Sequence, residues 1–285
     1  MQTIYIFSII IKFIELFTLL IIGLLFSTIG FGQNILFHGN QHQFVVIAHR
    51  GDHTNAPENT LAAFQNAINV EADFVEIDLR TTKDNQLIIM HNENIEHMTG
   101  KNALVSDLLF DSLIAIKIRE EKHLEWGVHA IPTFKEVLKL CKGKINIYLD
   151  FKAANVAETF KQILEEGMEN HVVVYINEPG QLNDWETIAP EMPLMISLPK
   201  EVKTKKEMFQ LLDDINIDIL DGHYSEYNSE TVAAAKEKNI PIWADIQSKD
   251  EGPENWKVAL ALGLNGLQSD HPKALIDFLI KKGKR

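Results

Sequence analysis

The feature of this sequence that most constrains its fold is a regular alternation of short apolar runs with longer helical patterns. Eight runs rich in β-branched residues predict strands: Phe44–Ala48, Phe74–Leu79, Ile145–Leu149, Val172–Ile176, Leu194–Ser197, Ile217–Leu220, Pro241–Ala244 and Gly266–Gln268. Each is followed, directly or after an interruption, by a pattern that predicts a helix: Thr60–Ile68, Thr133–Leu140, Val156–Glu166, Gln181–Ile188, Lys205–Leu212, Ser229–Lys238, Pro253–Leu262 and Pro272–Lys281. Such alternation is typical of a parallel sheet. Eight units in roughly 240 residues predict an α/β fold of the closed (β/α)8 barrel type.

A doubly wound open sheet is the alternative fold for the same alternation. That fold usually carries a glycine-rich phosphate loop after its first strand. No G-x-G-x-x-G follows Phe44–Ala48, so the barrel is favoured.

One interval interrupts the alternation, because about fifty residues (80–131) separate the second strand from its helix. It begins with a predicted turn at Lys83-Asp84-Asn85 and a short strand Leu87–Met90. A long insertion after a barrel strand lies on the catalytic face. We interpret it as a small insertion that caps the site.

The first 32 residues differ from the rest, since Ile4–Ile11 and Leu16–Ile29 are almost continuously apolar. Gly30 and Gly32 place small residues at positions −3 and −1 of a cut before Gln33, which predicts a secretory signal peptide. A retained N-terminal anchor is the alternative, because the stretch is long enough for a span of about 20 residues. Both interpretations place the catalytic domain, residues 33–285, outside the cytoplasm, periplasmic or extracellular and possibly membrane-anchored. Membrane contact is expected only if the segment is retained.

The net charge of −13 excludes the basic surface that nucleic-acid binding requires. Nucleic acid is therefore not an expected partner. The expected partner is a small molecule, and the oligomeric state is left open. An acidic protein that acts on a phosphate must supply positive charge locally, from a metal or a few basic side chains. Cys141 is the only cysteine, so it cannot form an intramolecular disulfide.

Carboxylates recur on one face of two neighbouring predicted strands. Glu76 and Asp78 alternate with the apolar residues of the second strand, and Asp150 ends the third strand on the corresponding face. Because strand side chains alternate between faces, these acids point into the barrel mouth. Buried carboxylates need a partner or a cation. Three oxygen ligands suit Ca²⁺ or Mg²⁺, although ion pairing at a strand end is the alternative for Glu76 and Asp78 alone.

Two histidines stand where short strands end. His49 is followed by Arg50 and Gly51 after the first strand, and His91 follows the short strand of the insertion. Histidine is suited to proton transfer near neutral pH, and arginine can hold a phosphate with two parallel hydrogen bonds. Each motif is weak alone, because a single histidine after apolar residues is more often structural.

Together these motifs resemble the glycerophosphodiester phosphodiesterase family of phospholipase C-like TIM barrels. The resemblance runs from about Phe44 to the C-terminus and is carried by His49-Arg50-Gly51, Pro57-Glu58-Asn59-Thr60, Glu76-Ile77-Asp78, Thr82-Lys83-Asp84, His91, Ile131–Leu138, Asp150-Phe151-Lys152, Trp243 and Gly266–Pro272.

The resemblance implies a role for each matching residue. It implies one divalent metal, Ca²⁺ or Mg²⁺, held by Glu76, Asp78 and Asp150. It implies His49 and His91 as the acid–base pair, without deciding which is the acid. Arg50 and Lys152 would bind the phosphate, and Trp243 would face the glycerol unless it only packs. Glu58 and Asn92 would hold other residues of the site in place without contacting the substrate.

Two positions depart from the family pattern. The family usually has Asp after the second histidine, where this chain has Asn92, and it commonly has Glu where this chain has the shorter Asp150. The first change removes a charge beside His91, and the second alters the reach of one metal ligand.

The function expected from these residues is metal-dependent hydrolysis of glycerophosphodiesters to glycerol phosphate and an alcohol. A phospholipase C- or D-like activity on intact phospholipid, and a non-catalytic binding protein on the same barrel, are the alternatives. The head-group preference is left open.

Overall fold

In this computed structural model, which describes residues 42–120 and 122–285, the main sheet contains eight parallel strands. They are β1 (Val45–Ala48), β2 (Phe74–Thr81), β3 (Asn146–Ala153), β4 (Val172–Ile176), β5 (Leu194–Ser197), β6 (Ile219–Asp221), β7 (Trp243–Asp245) and β8 (Gly266–Ser269). Their order is β7-β8-β1-β2-β3-β4-β5-β6. The bridges Leu220–Ile242 and His223–Asp245 join β6 to β7. The predicted (β/α)8 barrel is therefore confirmed.

Each barrel strand is followed by a helix on the outside of the sheet. The helices are α1 (Leu61–Asn69), α2 (Phe134–Cys141), α3 (Val156–Glu166), α4 (Pro179–Ile188), α5 (Lys205–Asp214), α6 (Ser229–Glu237), α7 (Pro253–Leu262) and α8 (Pro272–Lys281). Thr60, Thr133 and Thr204 each accept a hydrogen bond from a backbone N–H of the first helical turn. Such caps satisfy donors that the helix cannot pair, which is why these helices start where the sequence predicts.

Alternation along the strands separates an apolar outer face from a mixed inner one. Val75, Ile77 and Leu79 of β2 pack outward in the same apolar cluster as Phe64 of α1 and Phe134 of α2. A second cluster fills the inside of the barrel and contains Val45, Ile47, Phe74, Tyr148, Val173, Met195, Ile219 and Trp243. The barrel interior is thus packed up to the layer on which the site lies.

The insertion begins as a hairpin. Strand Leu87–Ile89 runs antiparallel to the end of β2 and pairs Leu87 with Thr81 and Ile89 with Leu79. The rest contains the helices Glu96–Thr99 and Phe110–Ile114 and the two-residue strands Lys117–Ile118 and His129–Ala130. It has its own apolar cluster, which includes Met98, Leu113 and Ile131. The hairpin therefore returns the chain to the barrel mouth at His91.

The predicted signal peptide or anchor, residues 1–32, lies outside the described residues. None of the helices within residues 42–120 and 122–285 has the length and apolar character that a membrane span requires.

Candidate active site

The turn after β1 is shaped by two residues in the left-handed region. Arg50 has φ +52 and Gly51 has φ +88. The first conformation lets the Arg50 backbone N–H donate to Glu76 Oε2 at 2.7 Å. The second brings the chain so close to α1 that a Cβ on Gly51 would lie 2.7 Å from the Ala63 carbonyl carbon. The turn thus ties β1 to β2 at the barrel mouth.

Three carboxylates meet beside this turn. Glu76 and Asp78 of β2 and Asp150 of β3 each offer an oxygen, and these oxygens all lie within 4.8 Å of one another. Glu76 and Asp78 are only 2% and 1% exposed. The pairing of Asp78 with Asp150 across the β2–β3 register brings the acids of the two strands to one level.

The electrostatics of this cluster favour a bound cation. Burial, followed by repulsion from Asp78 and Asp150, raises the pKa of Glu76 well above its ordinary value. Burial and Asp78 likewise raise the pKa of Asp150. Asp78 Oδ1 is buried and has no hydrogen-bond partner. Three hard oxygen donors, one of them without a hydrogen bond from the described residues, fit a hard divalent cation.

Two basic side chains border the carboxylates. Lys152 Nζ lies 2.5 Å from Asp150 Oδ2 and 3.4 Å from Asp78 Oδ1. Arg50 Nη1 donates to both oxygens of Glu58 at 3.0 Å, while the buried Arg50 Nε lies 3.5 Å from Asp78 Oδ2 and makes no hydrogen bond among the described residues. Both side chains line the pocket. Glu58 thus lies behind Arg50 and fixes its guanidinium, so that the group can present an unused donor to a phosphate.

His91 enters the pocket from the insertion. Its Nδ1 donates to Asn92 Oδ1 at 2.8 Å, and its carbonyl oxygen accepts hydrogen bonds from Arg80. Burial lowers the pKa of His91; Asp78 acts in the opposite direction, but Arg50 lowers it further. Among the described residues that line the pocket, His91 alone comes from the insertion beyond the hairpin turn.

His49 is held by a residue that sequence reasoning did not select. Its Nδ1 donates to Asp270 Oδ1 at 2.7 Å, and His53 Nε2 lies 3.1 Å from the same oxygen. Burial would raise the pKa of Asp270, but hydrogen bonds from His49 and His53 hold it below its ordinary value. In the sequence Asp270 falls within the segment Gly266–Pro272, which carries the resemblance but assigns the residue no role. The signal that could have identified it is its position after the eighth strand, which closes the barrel beside His49.

Two asparagines were also missed as parts of the site. Asn59 Nδ2 donates to Asp78 Oδ2 at 2.7 Å, and Asn177, just past β4, donates to Asp150 Oδ1 at 2.7 Å. Each amide holds one carboxylate in place, as a supporting hydrogen bond does for a metal ligand.

The far side of the pocket is also acidic. Asp221 at the end of β6 and Asp245 at the end of β7 line it, together with Tyr175, Gln247 and Gln268. Trp243, the predicted glycerol contact, is only 4% exposed and is absent from that lining. Its ring packs against Phe74 in a tilted arrangement with ring centroids 4.8 Å apart. Trp243 lies one inward-facing position before Asp245 and therefore packs in the barrel interior beneath the pocket.

The structure thus brings most of the predicted site residues into one pocket. His49, Arg50, Glu76, Asp78, His91, Asp150 and Lys152 all line it. Glu58 and Asn92 contact these residues from behind, and Trp243 is the exception. The arrangement can hold a cation, an anionic group and two imidazoles within one cavity.

Comparison with known proteins gives consistent matches. The model of the glycerophosphoryl diester phosphodiesterase family matches residues 49–274. A glycerophosphodiester phosphodiesterase of Caldanaerobacter subterraneus is 26% identical over 246 residues, which are 84% of this chain and 98% of that protein.

Solved structures share the fold at lower identity. A crystal structure of a glycerophosphoryl diester phosphodiesterase, assigned as putative, from Silicibacter pomeroyi superposes with a TM-score of 0.73 at 19% identity, covering 86% of this chain and 96% of that one. A phosphodiesterase of Oleispira antarctica, in complex with the product sn-glycerol-3-phosphate, superposes with a TM-score of 0.70 at 22% identity, covering 83% and 96%.

Proposed function

This chain belongs to the glycerophosphoryl diester phosphodiesterase family, and on that premise we propose that it cleaves glycerophosphodiesters to glycerol phosphate and an alcohol with one divalent metal and two histidines. The family and its relatives make the chain a phosphoric diester hydrolase. The observation that carries the finer proposal is the convergence of Glu76, Asp78 and Asp150 with His49 and His91 on one pocket.

The carboxylate cluster is the proposed metal site. Glu76, Asp78 and Asp150 would hold Ca²⁺ or Mg²⁺, and Asn59 and Asn177 would keep two of the three carboxylates oriented. A divalent cation bound there stabilises the negative charge that grows on the phosphate oxygens. Lys152 lies against Asp78 and Asp150 and adds a positive charge next to the same position.

The phosphate is the proposed ligand of Arg50 and Lys152. Arg50 Nε lies 3.5 Å from Asp78 Oδ2 and makes no hydrogen bond among the described residues, so it can donate to one phosphate oxygen while Glu58 engages Nη1. Such charge-assisted hydrogen bonds are stronger than neutral ones. These two residues would therefore hold the diester with its scissile bond between the imidazoles.

Proton transfer is proposed for the two histidines. Asp270 engages Nδ1 of His49, and Asn92 engages Nδ1 of His91, so Nε2 of each ring is the nitrogen left for the substrate. One imidazole takes the proton of the nucleophile, which is water or a neighbouring glycerol hydroxyl, and the other gives a proton to the oxygen of the leaving alcohol. If the glycerol hydroxyl attacks, the product is a cyclic phosphate, which water must then open with the two imidazoles in reversed roles to give glycerol phosphate.

The test is a turnover assay on glycerophosphodiesters after EDTA treatment and metal add-back. Activity should vanish with EDTA and return with Ca²⁺ or Mg²⁺. His49→Ala and His91→Ala should each lower kcat by about 10²–10⁴-fold. His123→Ala is the matched control, because His123 is an exposed histidine of the insertion, and it should turn over normally.

Three outcomes would overturn parts of this proposal. Near-normal turnover by His49→Ala in Ca²⁺ would remove the histidine assignment. Cleavage of phospholipid vesicles without cleavage of water-soluble diesters would favour the phospholipase alternative. Ligand binding without turnover in any metal would favour a binding protein on the same barrel.

We also propose that the catalytic domain works outside the cytoplasm, because of the predicted export segment at residues 1–32. Cell fractionation with the full chain tests this, and activity confined to the cytoplasm would contradict it. A signal peptide and a retained anchor differ in the N-terminal residue of the mature protein.

A further inference from the structure

We propose that Asp221 and Asp245 form a subsite for a primary ammonium group carried by the alcohol of the diester. The inference rests on the proposed function, since it names the substrate that the same pocket prefers. The two carboxylates end neighbouring strands β6 and β7, whereas the proposed metal ligands lie on β2 and β3. The pocket therefore has a second acidic side that the proposed metal and phosphate contacts do not use.

One carboxylate oxygen of Asp221 has no hydrogen-bond partner among the described residues. The residue is 2% exposed and lines the pocket, and its Oδ1 is buried without a hydrogen-bond partner. Its other oxygen, Oδ2, accepts the hydroxyl of Tyr148 at 2.6 Å. Leaving a buried acceptor unpaired is unfavourable, so the pocket is built to receive a donor at this position.

Asp245 adds a second carboxylate on the same side of the pocket, where β6 and β7 meet. Its backbone N–H donates to Gly222 O at 2.9 Å, which fixes the end of β7 against the residue that follows Asp221. Its Oδ1 accepts from Gln268 Nε2 at 2.6 Å. The side-chain donors to both carboxylates are neutral groups, and among the described residues no lysine or arginine forms an ion pair with either.

The carboxylates of Asp221 and Asp245 favour a cationic ligand on their side of the pocket. When they are ionised, Asp221 and Asp245 repel a phosphate and attract a cation. Burial raises the pKa of Asp221 well above its ordinary value, and repulsion from Asp245 raises it further. A cation near both carboxylates relieves that repulsion.

Hydrogen bonding selects among cations. A primary ammonium carries three N–H donors and can satisfy Asp221 Oδ1 and Asp245 together. A quaternary ammonium has no N–H and cannot satisfy Asp221 Oδ1 by hydrogen bonding; it is typically held by aromatic faces. Trp243 lies beneath the pocket, and the two tyrosines in the lining, Tyr148 and Tyr175, have their hydroxyls engaged with Asp221 and Ser197. A hydroxyl can donate one hydrogen bond but brings no charge.

The experiment compares three soluble diesters with the metal-loaded full chain: glycerophosphoethanolamine, glycerophosphocholine and glycerophosphoglycerol. We expect kcat/KM to be highest for glycerophosphoethanolamine. Asp245→Asn should lower the ratio of kcat/KM for glycerophosphoethanolamine to that for glycerophosphoglycerol by about tenfold, because hydrogen bonds to charged groups are the strong ones. Asp184→Asn removes one charge on the exposed surface of α4 and should leave the ratio unchanged.

The same ammonium also occurs on phosphatidylethanolamine, so vesicles of that lipid and of phosphatidylglycerol form a second arm. A preference for phosphatidylethanolamine that Asp245→Asn removes would support the subsite with a lipid as its source. Asp221→Asn is a second variant for the same test. If Asp221→Asn does not fold, the result for Asp245→Asn decides between the outcomes.

Equal kcat/KM for the three soluble diesters, or an equal loss on all three in Asp245→Asn, would overturn the ammonium subsite while the proposed hydrolysis stands. A preference for glycerophosphocholine would overturn it as well. Absence of turnover on every diester and lipid in any metal would instead overturn the proposed function, and the subsite with it.

Discussion

Nδ1 of His49, directly after β1, lies 2.7 Å from Oδ1 of Asp270, directly after β8, although 221 positions separate the two residues in the sequence. The contact exists because β8 pairs with β1 in parallel, with Ala48 opposite Ser269. It fixes which nitrogen of His49 faces the pocket. Asp270 is thus a positioning residue for an imidazole proposed to transfer protons.

Replacing this carboxylate should impair turnover more than binding. Asp270→Asn is expected to lower kcat by about tenfold or more, part of the 10²–10⁴-fold that a positioned proton-transfer group contributes, while KM changes little. In a His49→Ala background the same substitution should have almost no further effect, because the two residues act as a unit. Asp277→Asn, on the exposed part of α8, is the control, and equal losses in both backgrounds would contradict the coupling.

Restoring a charge next to His91 should raise its pKa. Burial lowers that pKa, and Arg50 adds to the effect against the opposing influence of Asp78. Asn92→Asp places an anion where the amide oxygen now lies 2.8 Å from Nδ1, and an anion favours the protonated ring. NMR titration of the ring protons should show an upward shift of about one unit or more. Asn102→Asp, an exposed asparagine of the same insertion, should leave the titration in place.

Metal-free protein should lose stability as the pH rises, and the metal should reverse that loss. The folded-state pKa of Glu76 is raised by burial and by its acidic neighbours, above an ordinary value of 4.5. Its contribution to stability is therefore complete below about pH 4.5 and is lost as the pH rises through the raised folded-state pKa. Because Ca²⁺ binds the ionised carboxylates of the folded state, the gain in Tm on adding Ca²⁺ should grow with pH.

The matched comparison is Glu76→Gln against Glu191→Gln, an exposed glutamate. Glu76→Gln should flatten the pH dependence of the metal-free Tm and reduce the gain from Ca²⁺. Glu191→Gln should behave as the unchanged protein does. A Ca²⁺ gain that is independent of pH in the unchanged protein would argue against binding at this cluster.

The turn after His49 should tolerate no side chain at Gly51. Gly51 has φ +88, and an added Cβ would lie 2.7 Å from backbone and side-chain carbons of Ala63. Gly51→Ala should lower the free energy of unfolding by about 2–4 kcal/mol, from left-handed strain and overpacking together. Gly100→Ala isolates the strain, because Gly100 has φ +69 with nothing within 4 Å, and it should cost about 1–2 kcal/mol. Urea denaturation measures both, and equal losses would exclude the contact with Ala63.

Local patterns predicted the elements of this fold with few errors. The bounds of α3, α7 and α8 match the predicted helices residue for residue, and β2 extends past its predicted end at Leu79 to Thr81. The extension arises because the hairpin strand Leu87–Ile89 gives the end of β2 an additional partner. The convergence of Glu76, Asp78 and Asp150 also followed from alternation, since neighbouring parallel strands place their inward residues at one edge.

Local patterns do not predict how deep a side chain lies in the barrel or which residues distant in sequence come into contact. Alternation assigns Trp243 and Asp245 to the same inward face, but it does not say which of them reaches the mouth. The structure buries the tryptophan against Phe74 and exposes the aspartate to the pocket. Alternation is a property of one strand, whereas depth depends on how all eight strands are staggered when the barrel closes.

By itself the sequence determined the periodicity of the strands and helices, the faces on which the acids lie, and the motifs that resemble one enzyme family. These are local properties, because backbone geometry and side-chain alternation act over a few residues. Only the tertiary structure decided that Asp270 holds His49, that Asn177 holds Asp150, and that Asp221 and Asp245 form a second acidic side. Those contacts depend on barrel closure, which joins strands that are distant in the chain and is fixed by the packing of the whole molecule.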